Sequence, residues 1–349
     1  MPSLKETIDQ IQPLKKEAMD LCQKKLNNLT KPPGSLGVLE DIAIQLAGIT
    51  GSTSPSVKNK TMLVMAGDHG VVAEGVSAFP QEVTPQMVLN FINGGAAINV
   101  FCRHAEAKVV VVDVGIVGDF THPDLIQKKI KQGTDNIAAG PGMSYDEAVK
   151  AIEIGIEMAH EEVQQGAALL GAGEMGIGNT TPSSAILAAC IDLPLEQIVG
   201  RGSGIQDEAL TNKIRVIQQA LDINQPDATD GVDLLAKVGG LEIAAMTGVM
   251  LGAAAHRVPV MVDGFIASAA ALAASRICPK VTPYMIASHA SMEPGHQHAL
   301  RLLGLTPMLH MNMRLGEGTG AALAFHLVEA STRALEEMST FADAGVTSS

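Results

Sequence analysis

From Lys60 onward, short runs of β-branched and apolar residues alternate with longer stretches at helical spacing. That alternation restricts the fold more than any other feature of the 349-residue chain. The runs at 61–66, 109–114, 168–171, 259–262, 284–287 and 307–309 read as strands, and none shows the polar alternation of a sheet with one wet face. The stretches at 85–101, 144–165, 182–189, 206–221, 241–255, 265–276 and 295–302 read as helices. Buried strands alternating with helices predict an α/β fold, a parallel sheet of about six strands flanked by helices.

Before this pattern begins, 4–29 reads as one amphipathic helix, Lys31-Pro32-Pro33-Gly34 breaks it, and 38–47 reads as a second. Residues 51–56, rich in Ser, Thr, Pro and Gly, read as a linker, and a last helix at 321–338 folds back on the first ones. The expected organisation is therefore a helical segment over 1–56, an α/β catalytic domain over 57–320, and a C-terminal helix over 321–349. Segments from the two termini share a small helical domain. The tail from Phe341 is expected to fray.

The loops after the strands carry the chemistry-bearing residues. They include Gly67-Asp68-His69-Gly70, Gly173-Glu174-Met175-Gly176, Asp263-Gly264-Phe265, Ser288-His289-Ala290-Ser291-Met292-Glu293 and Gly316-Glu317-Gly318-Thr319-Gly320. In a parallel sheet these loops share the carboxyl edge, where ligands bind. Glu317 between two glycines suits either a solvated helix start or a carboxylate held against a ligand. The 173–182 loop suits a phosphate at a helix N-terminus or an ordinary capped start, and it lacks the GK[ST] ending of a P-loop. The spaced glycines at 316, 318 and 320 are not a dinucleotide fingerprint, because no strand follows them.

A net charge of −13 argues against a nucleic-acid or anionic-membrane partner. The four cysteines lie far apart in the sequence, so reduced thiols and no structural metal are expected. Asp68-His69 reads as a turn held by its side chains rather than a metal site, His289 as polar scaffolding, and His296 and His298 as surface residues. Lys213 and Arg314 are candidates to balance a phosphate. No apolar leader is present at the N-terminus, and 244–255 is too short to span a bilayer; the expected location is cytoplasmic.

Six stretches together, KPPGSLG (31–37), AGDHGV (66–71), GEMGIGNTTP (173–182), KVGGLEIAAMTGVMLGAA (237–254), DGF (263–265) and MRLGEGTGAALA (313–324), carry a resemblance to one family. The chain resembles the nicotinate-nucleotide–dimethylbenzimidazole phosphoribosyltransferases of cobalamin biosynthesis. The resemblance implies a Rossmann-like domain and transfer of ribose 5-phosphate from nicotinate mononucleotide to an aromatic base. The products are an α-riboside phosphate and nicotinate. The donor already carries a pyridinium leaving group, so no cofactor or metal is implied.

By the same resemblance Glu317 is the general base and Glu174 stabilises positive charge on the ribose or assists proton transfer. Gly176, Lys213 and Ser291 hold the phosphate, with Gly202, Ser203 and Arg314 nearby. Phe79, Met87, Met175 and Leu315 face the acceptor ring. Benzimidazole-using relatives have Ser and Gln where this chain has Phe79 and Met87, and Leu where it has Met175. Apolar replacements favour a ring without a second nitrogen, so phenol or p-cresol is an expected acceptor as well as, or instead of, a benzimidazole. Phe79 and Met87 are equally compatible with plain core roles. A homodimer is implied, or a heterodimer with a paralogue. The rival readings are a nucleotide glycosidase that uses water and a non-catalytic partner subunit.

Overall fold

A computed structural model describes residues 2–347. The chain begins with helices α1 (Leu4–Gln10), α2 (Lys16–Asn27) and α3 (Val38–Thr50), then enters the sheet with β1 (Lys60–Gly67). Helices α4 (Val83–Ile92) and α5 (Ala97–His104) lead to β2 (Ala107–Gly115) and the two-residue β3 (Ile126–Gln127). Next come α6 (Tyr145–Gln164), β4 (Leu169–Met175), α7 (Thr180–Cys190), α8 (Asp207–Asn224), α9 (Gly231–Val238) and α10 (Leu241–Ala255). The chain continues through β5 (Val260–Val262), α11 (Phe265–Ile277), β6 (Met285–Ala287), α12 (Pro294–Leu303), α13 (Thr319–Glu337) and α14 (Phe341–Ala344).

Among the described residues the six strands pair in parallel throughout, in the order β3-β2-β1-β4-β5-β6. This is the doubly wound Rossmann order, which leaves a crevice where the winding reverses between β1 and β4. The unbroken apolar runs now have a reason. In β1, Leu63 and Met65 enter one core while Met62, Val64 and Ala66 enter the other, so alternate residues feed opposite faces. The first core lies under α6, α10 and α11, and the second under α4, α5 and α13. Helix α10 is buried from Leu241 to Ala254, and it lies backbone-close to α6, since a Cβ on Gly155 or Gly248 would strike the other helix's main chain. A third, smaller cluster joins Ala18, Cys22 and Leu26 of α2 with Ala43 and Ala47 of α3 and Leu335 of α13.

Several sequence expectations need correction. The run at 307–309 is not a strand: Leu309 makes one isolated bridge to His289, and the sixth strand is Ile126–Gln127, too short to leave a periodic signal. The helix expected over 4–29 is two helices, because Pro13 lies between them. The one expected over 85–101 is also divided, at Gly94 with φ +75° and Gly95. Helix α9 has no counterpart among the expected elements. The tail does not fray at Phe341, because α14 forms there with the Thr340 Oγ1 accepting from the Asp343 amide at 3.1 Å. The last two positions, 348 and 349, lie outside the described residues. No described helix is long and apolar enough to cross a membrane.

Candidate active site

A cavity of about 660 Å³ opens at the carboxyl edge of the sheet, bounded by the exits of β4, β5 and β6 and by the loop before α13. Glu174, expected in the loop, is the penultimate residue of β4, whose chain then passes through Gly176 and Gly178 into α7. Thr84 of α4 holds this loop by accepting the Ile177 amide at 3.1 Å. Glu174 Oε1 accepts the Glu317 amide at 3.0 Å, and its Oε2 accepts from Asn179 Nδ2. Burial pushes this carboxyl up to about 7, against the pull of those two hydrogen bonds.

Glu317 is buried in a left-handed conformation (φ +63°) between Gly316 (+85°) and Gly318 (+90°). A non-glycine residue there is strained, and such strain persists only where its surroundings enforce it. Three contacts do so. Its amide is held by Glu174, its Oε2 accepts the Ile98 amide at the N-terminus of α5 (3.3 Å), and its carbonyl crosses Gly173 too closely for any side chain there. Asp263, at the exit of β5, caps α13 by accepting the amides of Gly318 (3.2 Å) and Ala321 (2.9 Å). Burial raises the Glu317 pKa and the charge of Asp263 adds to the rise, while the Ile98 amide opposes it. Asp263 is raised as well, by burial, although His289 and the cap amides pull it down.

The cavity is also lined by Gly202, Ser291 and Arg314, which group around Glu293, by Ser203, and by Gly176, which directly follows β4. Lys213 does not line the wall. It is fully buried behind it, with Nζ donating to Thr180 Oγ1 at 2.7 Å and to the Gly200 carbonyl at 3.3 Å. Burial pushes it down to about 8, although Glu293 pulls the other way. Ser203 Oγ accepts the Ala78 amide at 3.1 Å and so ties its loop to the segment carrying Phe79.

Phe79, Met87, Met175 and Leu315 line the same cavity and give it an apolar wall. Phe79 is half exposed and is not a core residue; Met87 packs on the second core and also reaches the cavity. Every site residue expected from sequence except Lys213 therefore borders one space.

Sequence reasoning assigns no role in the site to Asp263, Asn179 or Glu293. Asp263 and Glu293 stand in strand-exit loops that the sequence marks, but their partners are distant in the chain; Asn179 reads as a potential helix N-cap, yet its side chain donates to Glu174 and caps nothing. His296, expected at the surface, is fully buried, its Nδ1 accepting the Ser291 amide at 2.8 Å. Asp68 does hold a turn, accepting the Val117 amide at 2.8 Å, but His69 instead meets Glu242 at 2.8 Å beneath Gly176.

Comparison with known proteins gives one answer. A family model described as Phosphoribosyltransferase matches residues 11–346. The nicotinate-nucleotide–dimethylbenzimidazole phosphoribosyltransferase of Desulforamulus reducens is 56% identical over 348 residues, covering 99% of each chain. Its counterpart in Geobacter sulfurreducens is 54% identical over 347 residues, again covering 99% of each. The crystal structure of CobT from Thermus thermophilus superposes with a TM-score of 0.92 at 45% identity, covering 95% of this chain and 100% of that one.

Proposed function

Because the chain belongs to the family of nicotinate-nucleotide–dimethylbenzimidazole phosphoribosyltransferases, we propose that its cavity joins an aromatic base to the ribose 5-phosphate of nicotinate mononucleotide, with Glu317 as general base. The observation that carries the assignment is the placement of Glu317. Its buried carboxylate stands in a cavity lined both by apolar side chains and by Ser291, Gly202 and Arg314. A donor lying with its phosphate toward Ser291 brings C1′ toward the two glutamates.

The step balances without an added reactant. An acceptor lone pair forms the new bond to C1′ while the C1′–pyridinium bond breaks, and its electrons neutralise the ring nitrogen of the departing nicotinate. Attack from the opposite face turns a β linkage into an α one. The acceptor's N–H or O–H proton passes to Glu317, whose pKa is raised by burial, so that it is a stronger base than an ordinary carboxylate. Glu174, ionised above about pH 7, faces the positive charge that grows on the ribose ring.

The apolar wall favours a particular acceptor. Phe79, Met87 and Met175 offer no strong hydrogen-bond partner of their own to a second ring nitrogen, so a phenol or p-cresol is accommodated at least as well as dimethylbenzimidazole. A competition assay with nicotinate mononucleotide, p-cresol and dimethylbenzimidazole tests this. A phenolic riboside phosphate among the products supports the reading, and its absence removes it. Nicotinate release that is independent of any acceptor would point instead to a glycosidase.

A further inference from the structure

Glu293 has no part in the glycosyl chemistry above, although it lines the same cavity. It is 7% exposed. Its Oε1 accepts the Gly202 amide at 3.0 Å, a main-chain donor expected to face the phosphate, while its buried Oε2 has no hydrogen-bond partner among the described residues. The backbone strap at 200–202 separates this carboxylate from Lys213. A Cβ on Gly200 would land on Glu293 Oε2, and one on Gly202 would stand 3.3 Å from Lys213 Nζ. Ser291 Oγ lies 3.4 Å from the Glu293 amide. The carboxylate thus sits among the groups that would receive a phosphate, as a like charge to that phosphate.

We propose that Glu293 is the internal counter-ion of the phosphate end in the unliganded enzyme, and that a phosphate monoester binds there together with one proton taken up by this carboxylate. The inference rests on the reading that this end of the cavity receives the donor phosphate. With no anion bound, Glu293 balances Lys213 and Arg314. A dianion takes over that role, and a proton on Glu293 turns its free oxygen from a repelling group into a donor. The charged and titratable groups on the surrounding elements are Lys213 on α8, Arg314 before α13, Arg201 on the strap (paired with Asp207), His296 on α12, His289 packed against the His296 ring with Asp263 beside it, and Glu174 in the same cavity. Burial raises the Glu293 pKa, and Lys213, the Gly202 amide and Arg314 pull it back, which leaves it easy to protonate once an anion arrives.

Calorimetric titration with ribose 5-phosphate at pH 7, in two buffers of different ionisation enthalpy, tests this on the wild type and Glu293→Gln. Per ligand bound, the wild type is expected to take up at least about half a proton more than Glu293→Gln does, and Glu293→Gln to bind about tenfold more tightly. Equal proton counts, or binding by Glu293→Gln no tighter than wild type, overturn the proposal while leaving the phosphate site standing. No binding by the wild type overturns the phosphate-site reading with it. Affinity for inorganic sulfate, a dianion throughout, should rise more steeply with falling pH in the wild type than in Glu293→Gln, in which Glu174 still titrates. Equal pH dependence in the two overturns the proposal.

Discussion

The main-chain amide of Glu317 donates to the side chain of Glu174 at 3.0 Å, so one carboxylate of the site holds the backbone of the other. Glu174 stands at the end of a central strand and Glu317 in a loop far along the chain. Their coupling means that removing Glu174 also loosens Glu317.

The pH–rate profile should report Glu174. With its carboxyl pushed up to about 7, the ionised form that faces the ribose is lost as pH falls below that value. We expect kcat/KM for the donor to fall below about pH 7, and Glu174→Gln to lose that component while keeping the acid limb set by Glu317. Steady-state kinetics at saturating acceptor, between about pH 5.5 and 8.5, measures it.

The same group predicts a stability change of defined sign. Its pKa rises from 4.5 unfolded to about 7 folded, so between these values the folded state binds more protons than the unfolded one. Its contribution is fully present below pH 4.5 and is lost as pH rises through about 7, on the order of 3 kcal/mol at most. Relative to wild type, Glu174→Gln should therefore gain stability as pH rises across this window, as read by urea unfolding.

Glu317 carries backbone strain that glycine would not. Replacing it by Gly relieves a left-handed residue and a buried carboxylate at the expense of one hydrogen bond from Ile98. Glu317→Gly should be at least as stable as wild type, by about 1 kcal/mol in urea unfolding, and inactive.

Gly316→Ala should do the reverse. At φ +85° the new Cβ is strained, and it would meet Glu174 Oε1. We expect a loss of about 1–3 kcal/mol in stability and a fall in kcat of roughly tenfold or more, checked by denaturation and single-turnover rates.

Acceptor choice should follow the apolar wall. In Phe79→Ser/Met87→Gln, the ratio of benzimidazole to p-cresol turnover should rise by roughly tenfold, read as relative kcat/KM in a competition assay.

Much of this site is legible in the sequence because it rests on strand exits. Apolar runs followed at once by Glu174, Ser288-His289 and Asp263 mark the carboxyl edge of a parallel sheet, and one space there contains every residue expected at the site except Lys213. Lys213 differs in position, since a helical pattern does not tell which residue ends behind a wall. Elements without periodicity are not legible. Ile126–Gln127 is two residues long, and Pro307-Met308-Leu309 is apolar yet forms an isolated bridge, Leu309 to His289, and no strand. Asp263 capping α13 and Glu293 facing the Gly202 amide depend on contacts that form only in the folded chain.

If the Glu317 carboxylate removes the acceptor's proton, Glu317→Gln disables that step alone, because the amide keeps the side chain's shape while losing its basicity. Measured at saturating nicotinate mononucleotide and acceptor, kcat should fall by about 10²–10⁴-fold with donor affinity nearly unchanged. Turnover by Glu317→Gln within about threefold of wild type would contradict the account.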